Sequence, residues 1–383
     1  MTNAQKFGQQ ALKFSAGNIK CQSSTTRHLA LIHHNLGDHI MAIVHARQSR
    51  KLAQLAGNPM LEARALHIEI NCLQAIGNYA LGISLCQTAH NLLELCMSDG
   101  LPSQAIMNSQ AEILTSKSEY REARLIYTQL LAKSPLTLSP YHHILNLLNI
   151  LFIDINTDVS GNTVLQEINI LQGILNKLEQ YKNWDKWFIS MCAEFQLREG
   201  DFLPAETGFQ RCLNLSWGSD GENVTFCLQA LADGYRWGAK VRLTWATLLL
   251  VNSLKTKQKV SIHKGLQFMS HFFLCLGDQH TAHSLLTLAL EGFTDMDIHQ
   301  SKAECMLHLG EISEQRGDFS RALQLWEQAK PLFKRSSQTR QLALVDEKIS
   351  QIQPHLQADQ QKLVLLSELH PPSGLAQTQM IKM

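Results

Sequence analysis

Gly317-Asp-Phe-Ser-Arg-Ala322 closes one apolar helical pattern and opens another. Ahead of it, Met306, Leu309, Gly310 and Ser313 fall at i, i+3, i+4 and i+7, one face of a helix. After it, Ala322, Leu323, Trp326 and Ala329 make the facing side of a second helix. Gly317 is expected to take the left-handed conformation that ends the first helix, and Asp318 to cap the second. Small residues at 310, 322 and 329 let the two helices approach closely, and Trp326 fills the space between them.

The phrase recurs. Gly-Asp-x-x-x-Ala stands at 37–42, 200–205, 277–282 and 317–322, with the looser Ser-Glu-Tyr-Arg-Glu-Ala at 118–123. A wider series, Gly37, Gly77, Ser118, Gly161, Gly200, Gly238, Gly277 and Gly317, advances by 38 to 43 residues per step. A fixed period of this length means one supersecondary unit copied along the chain, each copy burying its apolar face on its neighbours. The units at Gly161 and Gly238 keep the period but lose the small alanine. Eight helical hairpins follow, at 23–57, 60–98, 102–133, 139–181, 184–215, 222–256, 260–292 and 297–335, and a closing helix at 338–352 covers the last. Residues 1–22 read as a partial amino-terminal repeat helix, through Phe7, Ala11 and Phe14. Residues 353–383 read as a short helix and a disordered tail from Pro371 onward. The lone half-unit at the start implies a carboxy-terminal portion of a longer protein, or of a gene descended from one.

The spacing of large apolar residue, Leu-Gly, turn, Ala, aromatic and Ala resembles the tetratricopeptide repeat. The expected fold is therefore all-α: a right-handed α-α superhelix, a tetratricopeptide-like solenoid. The period exceeds the standard repeat of about 34 residues, which calls for longer helices or connectors. Armadillo and HEAT repeats share the longer period but not the Gly-Asp-x-x-x-Ala turn.

Composition fits a folded, water-soluble chain. Of 383 residues 45% are apolar, and 34 basic side chains face 33 acidic ones. That balance argues against general nucleic-acid or anionic-membrane binding. The amino terminus lacks the apolar stretch of a secretory signal. The runs Leu147–Ile153 and Thr247–Val251 fall far short of the roughly 20 residues of a membrane-spanning helix. Nine cysteines, an odd number without Cys-x-x-Cys, suit a reduced, cytoplasmic compartment.

Several stretches resemble the carboxy-terminal repeat region of the NOD-like signalling ATPases of mushroom-forming fungi. They are Leu-Lys-Thr-Lys-Gln-Lys-Val-Ser-Ile-His-Lys (254–264), Ala-Leu-Glu-Gly-Phe-Thr-Asp-Met-Asp (289–297), Ser-Lys-Ala-Glu-Cys-Met-Leu-His-Leu-Gly (301–310) and Leu-Trp-Glu-Gln-Ala-Lys-Pro-Leu-Phe-Lys-Arg-Ser-Ser-Gln (325–338). In that family a P-loop ATPase drives assembly, and the repeats sense a ligand or restrain the ATPase. This chain has no Gly-x-x-x-x-Gly-Lys-[Ser/Thr]. The resemblance thus implies a recognition surface without the motor.

Enzyme signatures are missing: no Gly-x-Ser-x-Gly, no His-Glu-x-x-His and no dinucleotide fingerprint. Seventeen histidines invite a metal reading, above all Cys275, Asp278, His280 and His283 at one turn. His280 belongs to an exposed first turn and Cys275 faces the preceding hairpin, so no metal and no cofactor is expected. Lys255, Lys257, Lys259, His263 and Lys264 read as cations beside a helix carboxy terminus. Five of six tryptophans fall between 184 and 245, as plugs between irregular repeats, with Trp187 on the inner side of its helix.

In tetratricopeptide superhelices the first helix of each hairpin lines the concave groove, through its second, fifth and ninth positions. Counting back from the turns, the resemblance nominates Arg27, Arg64, Asn71, Asn108, Glu112, Trp187, Glu194, Lys264, Gln267, His271, Glu304, Leu307 and Glu311. The amino half of that set is basic to neutral and the carboxy end acidic. Arg27, Arg64, Asn71 and Asn108 loosely approximate the family's clamp for an acidic chain terminus. The functional expectation is a non-enzymatic module binding a peptide or protein in that groove, alternatively a regulatory relic that pairs with full-length relatives.

Overall fold

The computed structural model describes residues 3–95, 100–233 and 243–369. Among them the regular elements are all helical. They are α1 (Asn3–Phe14), α2 (Ile19–Asn35), α3 (His39–Leu55), α4 (Pro59–Ala75), α5 (Tyr79–Leu95), α6 (Leu101–Ser116), α7 (Tyr120–Lys133), α8 (Pro140–Ile155) and α9 (Gly161–Lys177). A short 3-10 turn over Glu179–Trp184 leads into α10 (Asp185–Glu199), α11 (Phe202–Ser216), α12 (Gly221–Ala232) and α13 (Leu243–Thr256). The chain continues with α14 (Lys259–Cys275), α15 (Gln279–Asp295), α16 (His299–Gln315), α17 (Phe319–Arg335) and α18 (Thr339–Leu369). Consecutive pairs from α2–α3 to α16–α17 pack as eight hairpins, and α18 packs on α17. The chain is thus a tetratricopeptide-like solenoid.

The turn chemistry follows the motif. Gly317 sits at φ +77, its N–H bonds Glu314 O at 2.9 Å, and the Asp318 N–H reaches back to Ser313 O at 2.9 Å. Asp318 Oδ1 then accepts the Arg321 N–H at 3.0 Å, capping α17. Behind the turn, Trp326 is fully buried and its Nε1 donates to Leu307 O at 3.1 Å. A side chain at Gly310 would collide with that indole. Asp38 and Asp278 cap their helices in the same way, whereas Asp201 makes no side-chain cap bond.

The junctions between hairpins repeat the geometry of the turns within them. Lys257, Asp297 and Ser337 stand at φ +56, +55 and +56, and Gly57 at φ +57. Gly277, Asp297, Gly317 and Ser337 are spaced 20 residues apart. In the last hairpins the glycine period of the sequence is therefore twice the structural period, because Lys257, Asp297 and Ser337 hold the alternate junctions, whereas Gly17, Gly37, Gly57 and Gly77 fill every junction at the amino end. The long repeat is met by long helices: α14 through α17 each have 17 residues.

Two expectations change. Gly161 is not a left-handed turn residue; it begins α9, capped by Ser160, after a longer loop from Asn156. The closing helix does not stop near 352, since α18 runs unbroken to Leu369. The amino-terminal half-unit is the single helix α1, packed on α2 with none of its residues buried. The readings placed on 96–98, Trp237, Gly238 and the tail from 370 lie outside the described residues.

The superhelix comes back onto itself. The α15–α16 junction docks on the α6–α7 turn: the His299 N–H bonds Lys117 O at 3.2 Å, and the Tyr120 hydroxyl donates to Gln300 Oε1 at 3.0 Å. One junction later, Arg335 Nη2 lies 2.6 Å from Glu119 Oε1, Gln338 Nε2 donates to Asn156 O at 2.7 Å, and the Thr339 N–H donates to Asp158 Oδ2 at 3.2 Å. The third hairpin thus meets the eighth, five units further along. Ile70, Leu73 and Ile113 share one continuous apolar core with Phe293, Met296 and Ile298. At Gly77 (φ +77) an added Cβ would lie 2.7 Å from Met296 Sδ, so this glycine serves both the turn and the closure. No described helix is long and apolar enough to cross a membrane.

Candidate functional site

Winding the hairpins into so tight a turn brings their first helices around one space. A cavity of about 1280 Å³ is lined by α4, α6, α8, α10 and α12, the first helices of five successive hairpins, with α7 and the 3-10 turn contributing. A second cavity of about 350 Å³ lies at its amino-terminal end, lined by Arg27, Arg64, Ala63, His67, Pro102 and Ala105. His67 and Ala105 border both.

The larger cavity is rich in amides. Asn71 Oδ1 accepts the Ser109 hydroxyl at 2.8 Å, and Asn108 Nδ2 donates to Glu112 Oε1 at 2.6 Å. Asn108 Oδ1 and Asn149 Nδ2 are buried and have no partner. Aromatic rings line it as well. Tyr141 and Trp184 meet at 5.2 Å between ring centroids, and Trp187 and Phe226 at 6.2 Å. Trp187 is fixed by its Nε1, which donates to Asp220 Oδ2 at 3.0 Å; the same oxygen lies 2.9 Å from Lys186 Nζ.

Charge is unevenly spread. Arg27 and Arg64 stand at the amino-terminal mouth, and burial followed by the Arg64 charge weakens the hold of Arg27 on its proton. Burial, then Arg27 and His34, push His67 down to about 4, so it is a neutral imidazole near pH 7. Glu112 is pushed up to about 7 by burial and by Glu222, against the hydrogen bonds from Asn108 and Gln74. Glu222 is raised by burial and by Asp220. Glu112 and Glu222 therefore ionise reluctantly, whereas Asp220, beside Lys186, is held below its ordinary value.

The nominated residues divide into two groups. Asn71, Asn108, Glu112 and Trp187 line the large cavity, and Arg27 and Arg64 the smaller one. Glu194, Lys264, Gln267, His271, Glu304, Leu307 and Glu311 line neither. Glu194, Gln267, His271 and Leu307 are buried. Glu304 accepts from Lys264 Nζ at 3.2 Å, Gln267 Nε2 at 2.9 Å and Gln300 Nε2 at 2.9 Å. Burial opposes its ionisation, but Lys264 and the two amides outweigh it and hold Glu304 at about 2. Glu311 pairs with His308 at 2.9 Å and with Lys348 of α18 at 3.0 Å. Burial, then His308, push His271 down to about 3. The physical reason is neighbour packing: α14 turns Lys264 and Gln267 toward Glu304 of α16, and Lys348 of α18 covers Glu311.

Several lining residues were not nominated: Tyr141, Asn146, Asn149, Trp184, Glu222 and Phe226. A signal did exist for two of them. Asn146 and Asn149 interrupt the otherwise apolar Leu145-Asn-Leu-Leu-Asn-Ile-Leu-Phe152, three residues apart on one helix face. Cys275, Asp278, His280 and His283 form no cluster of metal-ligating groups among the described residues.

No protein-family model and no curated protein matches the chain. Solved structures with similar backbones include the Cut9–Hcn1 hetero-tetramer of the APC/C, at 14% identity and TM-score 0.46, covering 90% of this chain and 67% of that one. The human IFIT1 dimer with m7Gppp-AAAA matches at 12% identity and TM-score 0.44, covering 96% and 86%. A tetratricopeptide repeat protein from Parabacteroides merdae matches at 12% identity and TM-score 0.34, covering 84% and 98%. The hairpin array of this chain, rather than those neighbours, defines its fold.

Proposed function

We propose that the protein is a non-enzymatic interaction module that holds an extended polypeptide segment in the cavity bounded by α4, α6, α8, α10 and α12. The observation that carries this reading is the lining of that cavity, where the amides of Asn71, Asn108, Asn146 and Asn149 share the wall with the rings of Trp184, Trp187 and Phe226. Side-chain amides both donate and accept hydrogen bonds, and a peptide backbone supplies both complements. The volume of about 1280 Å³ exceeds the roughly 300–1,000 Å³ of small-molecule sites. Trp184, Trp187 and Phe226 offer faces for apolar side chains. Arg27 and Arg64 at one end favour a segment whose acidic end lies toward α2.

Selection of displayed linear peptides on the full chain tests this. Enriched peptides should lose about tenfold or more in affinity for an Asn108→Leu, Asn149→Leu variant that melts like the parent. Peptides that bind the variant equally well, or a failure to enrich any, would overturn the reading.

A second reading, association with the repeat arrays of NOD-like relatives in the cytoplasm, is supported by α1. Phe7 and Phe14 on that helix are 68% and 90% exposed, an apolar face that a further helix would cover. Co-sedimentation with a full-length relative should then be lost in a Phe7→Ser, Phe14→Ser variant; undiminished association would discard it.

A further inference from the structure

We propose that His34, His39 and Cys72 form a Zn²⁺ site that joins the first two hairpins. His34 lies in the last turn of α2, His39 is the first residue of α3, and Cys72 is near the end of α4. The α2–α3 turn brings both imidazoles onto the same point of α4, with their ring centroids 5.2 Å apart. His34 Nδ1 stands 3.4 Å from Cys72 Sγ, and one donor atom from each of the three residues lies within 4.8 Å of the others. Tetrahedral zinc with bonds of about 2.0–2.3 Å sets its nitrogen and sulfur ligands about 3.6 Å apart. The His34–Cys72 pair already has that spacing, and His39 closes the rest by a small side-chain rotation.

A second observation points the same way. His39 Nδ1 is buried and makes no hydrogen bond. On the Cys72 helix, Glu69 gives one oxygen to Arg47 at 2.6 Å, and its other oxygen is buried without a partner. Glu69 thus brings negative charge close to Cys72. One thiolate with two imidazoles is a borderline-soft donor set that suits Zn²⁺ over Mg²⁺ or Ca²⁺, and three protein ligands leave a fourth position for water or a further donor. Binding displaces the Cys72 thiol proton to solvent, and the sulfur electron pair forms the Zn–S bond. Because each metal bound displaces that proton, uptake is pH-dependent. The other acid–histidine cluster, Glu119, Asp297 and His299, is of a different kind, since Lys117 and Arg335 already neutralise it.

Full-length protein stripped with a chelator, with the exposed Cys21 and Cys275 replaced by serine, is titrated with Co²⁺ and then Zn²⁺. The expected result is a single saturating site with a thiolate-to-cobalt charge-transfer band and tetrahedral visible bands, both bleached by Zn²⁺. Cys72→Ser should abolish the charge-transfer band. His39→Gln, at a half-exposed helix start, should weaken Co²⁺ affinity by about tenfold or more without changing the apo melting temperature. Zn²⁺ should raise the melting temperature of the parent but not of Cys72→Ser. No saturable band, a band that survives Cys72→Ser, or unchanged affinity in His39→Gln would each overturn the proposal and leave a plain thiol–imidazole hydrogen bond.

Discussion

Glu119 and His299 lie 180 residues apart in sequence and meet through a 3.0 Å hydrogen bond between Glu119 Oε1 and His299 Nε2. The same carboxylate oxygen lies 2.9 Å from Lys117 Nζ and 2.6 Å from Arg335 Nη2. One acidic side chain in a turn of the third hairpin therefore gathers three donors, two of them from the eighth hairpin. The junction fixes how tightly the solenoid winds, and through that the cavity at its centre.

The His299 hydrogen bond, with help from Lys117 and Arg335 and against burial, holds Glu119 at about 2, below its ordinary value of 4.5. A carboxyl with a lowered folded pKa stabilises fully above about 4.5, and that contribution fades as pH falls toward about 2. Replacing Glu119 by Gln should therefore cost on the order of 1–3 kcal/mol near neutrality and very little at pH 2. Melting curves across that range check it: the variant should show a flatter dependence of Tm on pH, and parallel curves would contradict the role given to this group.

Glu112 has the opposite sign. Its folded pKa of about 7 lies above 4.5, so the folded state loses stability as pH rises through that window and carries the full penalty above it. Glu112→Gln should keep the hydrogen bond from Asn108 and raise stability by about 1–2 kcal/mol at pH 8, with no gain at pH 4.5. Equal gains at both pH values would show that ionisation is not the cause.

The turn period was legible because a left-handed residue at the end of a helix has a sequence signature and Gly-Asp-x-x-x-Ala carries it. The winding was not. Superhelix pitch is set by small rotations between neighbouring hairpins, and Lys117, Glu119, Asp297 and His299 are ordinary polar residues until those rotations bring them together. The same limit applies to the groove list at its carboxy end. Helical register places Lys264 and Glu304 on inward positions, but only packing tells that they face each other at 3.2 Å instead of solvent. Gly161 misled because a glycine that starts a helix and one that ends a helix look alike in a periodic series. His34, His39 and Cys72 come from three helices, with no shared motif to flag them.

Backbone strain at the junctions is separable from packing. At Gly317 (φ +77) an added Cβ meets nothing within 4 Å, so Gly317→Val should cost about 1–3 kcal/mol from the backbone alone. Lys257 occupies the same conformation at φ +56 and is exposed, so Lys257→Gly should stabilise by about 1 kcal/mol. Denaturant titrations of the two variants should shift in opposite directions; a shared sign would refute the equivalence of the two kinds of junction.

Close approach within the last hairpin is a different constraint. Gly310→Ala places a methyl group against the buried Trp326 indole, and overpacking of this kind costs about 1–3 kcal/mol. Because the indole also donates to Leu307 O, it has little freedom to move aside. Thermal melts should show Gly310→Ala destabilised while Gly173→Ala, with open space at its Cβ, is not. Similar melts for the two variants would contradict the packing assigned to Trp326.

Closure of the solenoid after five hairpins is tested most directly by zero-length carbodiimide cross-linking of the native monomer, read by mass spectrometry. Lys117 Nζ lies 3.0 Å from Asp297 Oδ2, and within the last hairpin and its cap Lys330 Nζ lies 2.8 Å from Asp346 Oδ1. A closed superhelix predicts amide links at both pairs. Recovery of the Lys330–Asp346 link with no link between Lys117 and Asp297 would mean that the third and eighth hairpins do not meet, and the account of the cavity would fall with it.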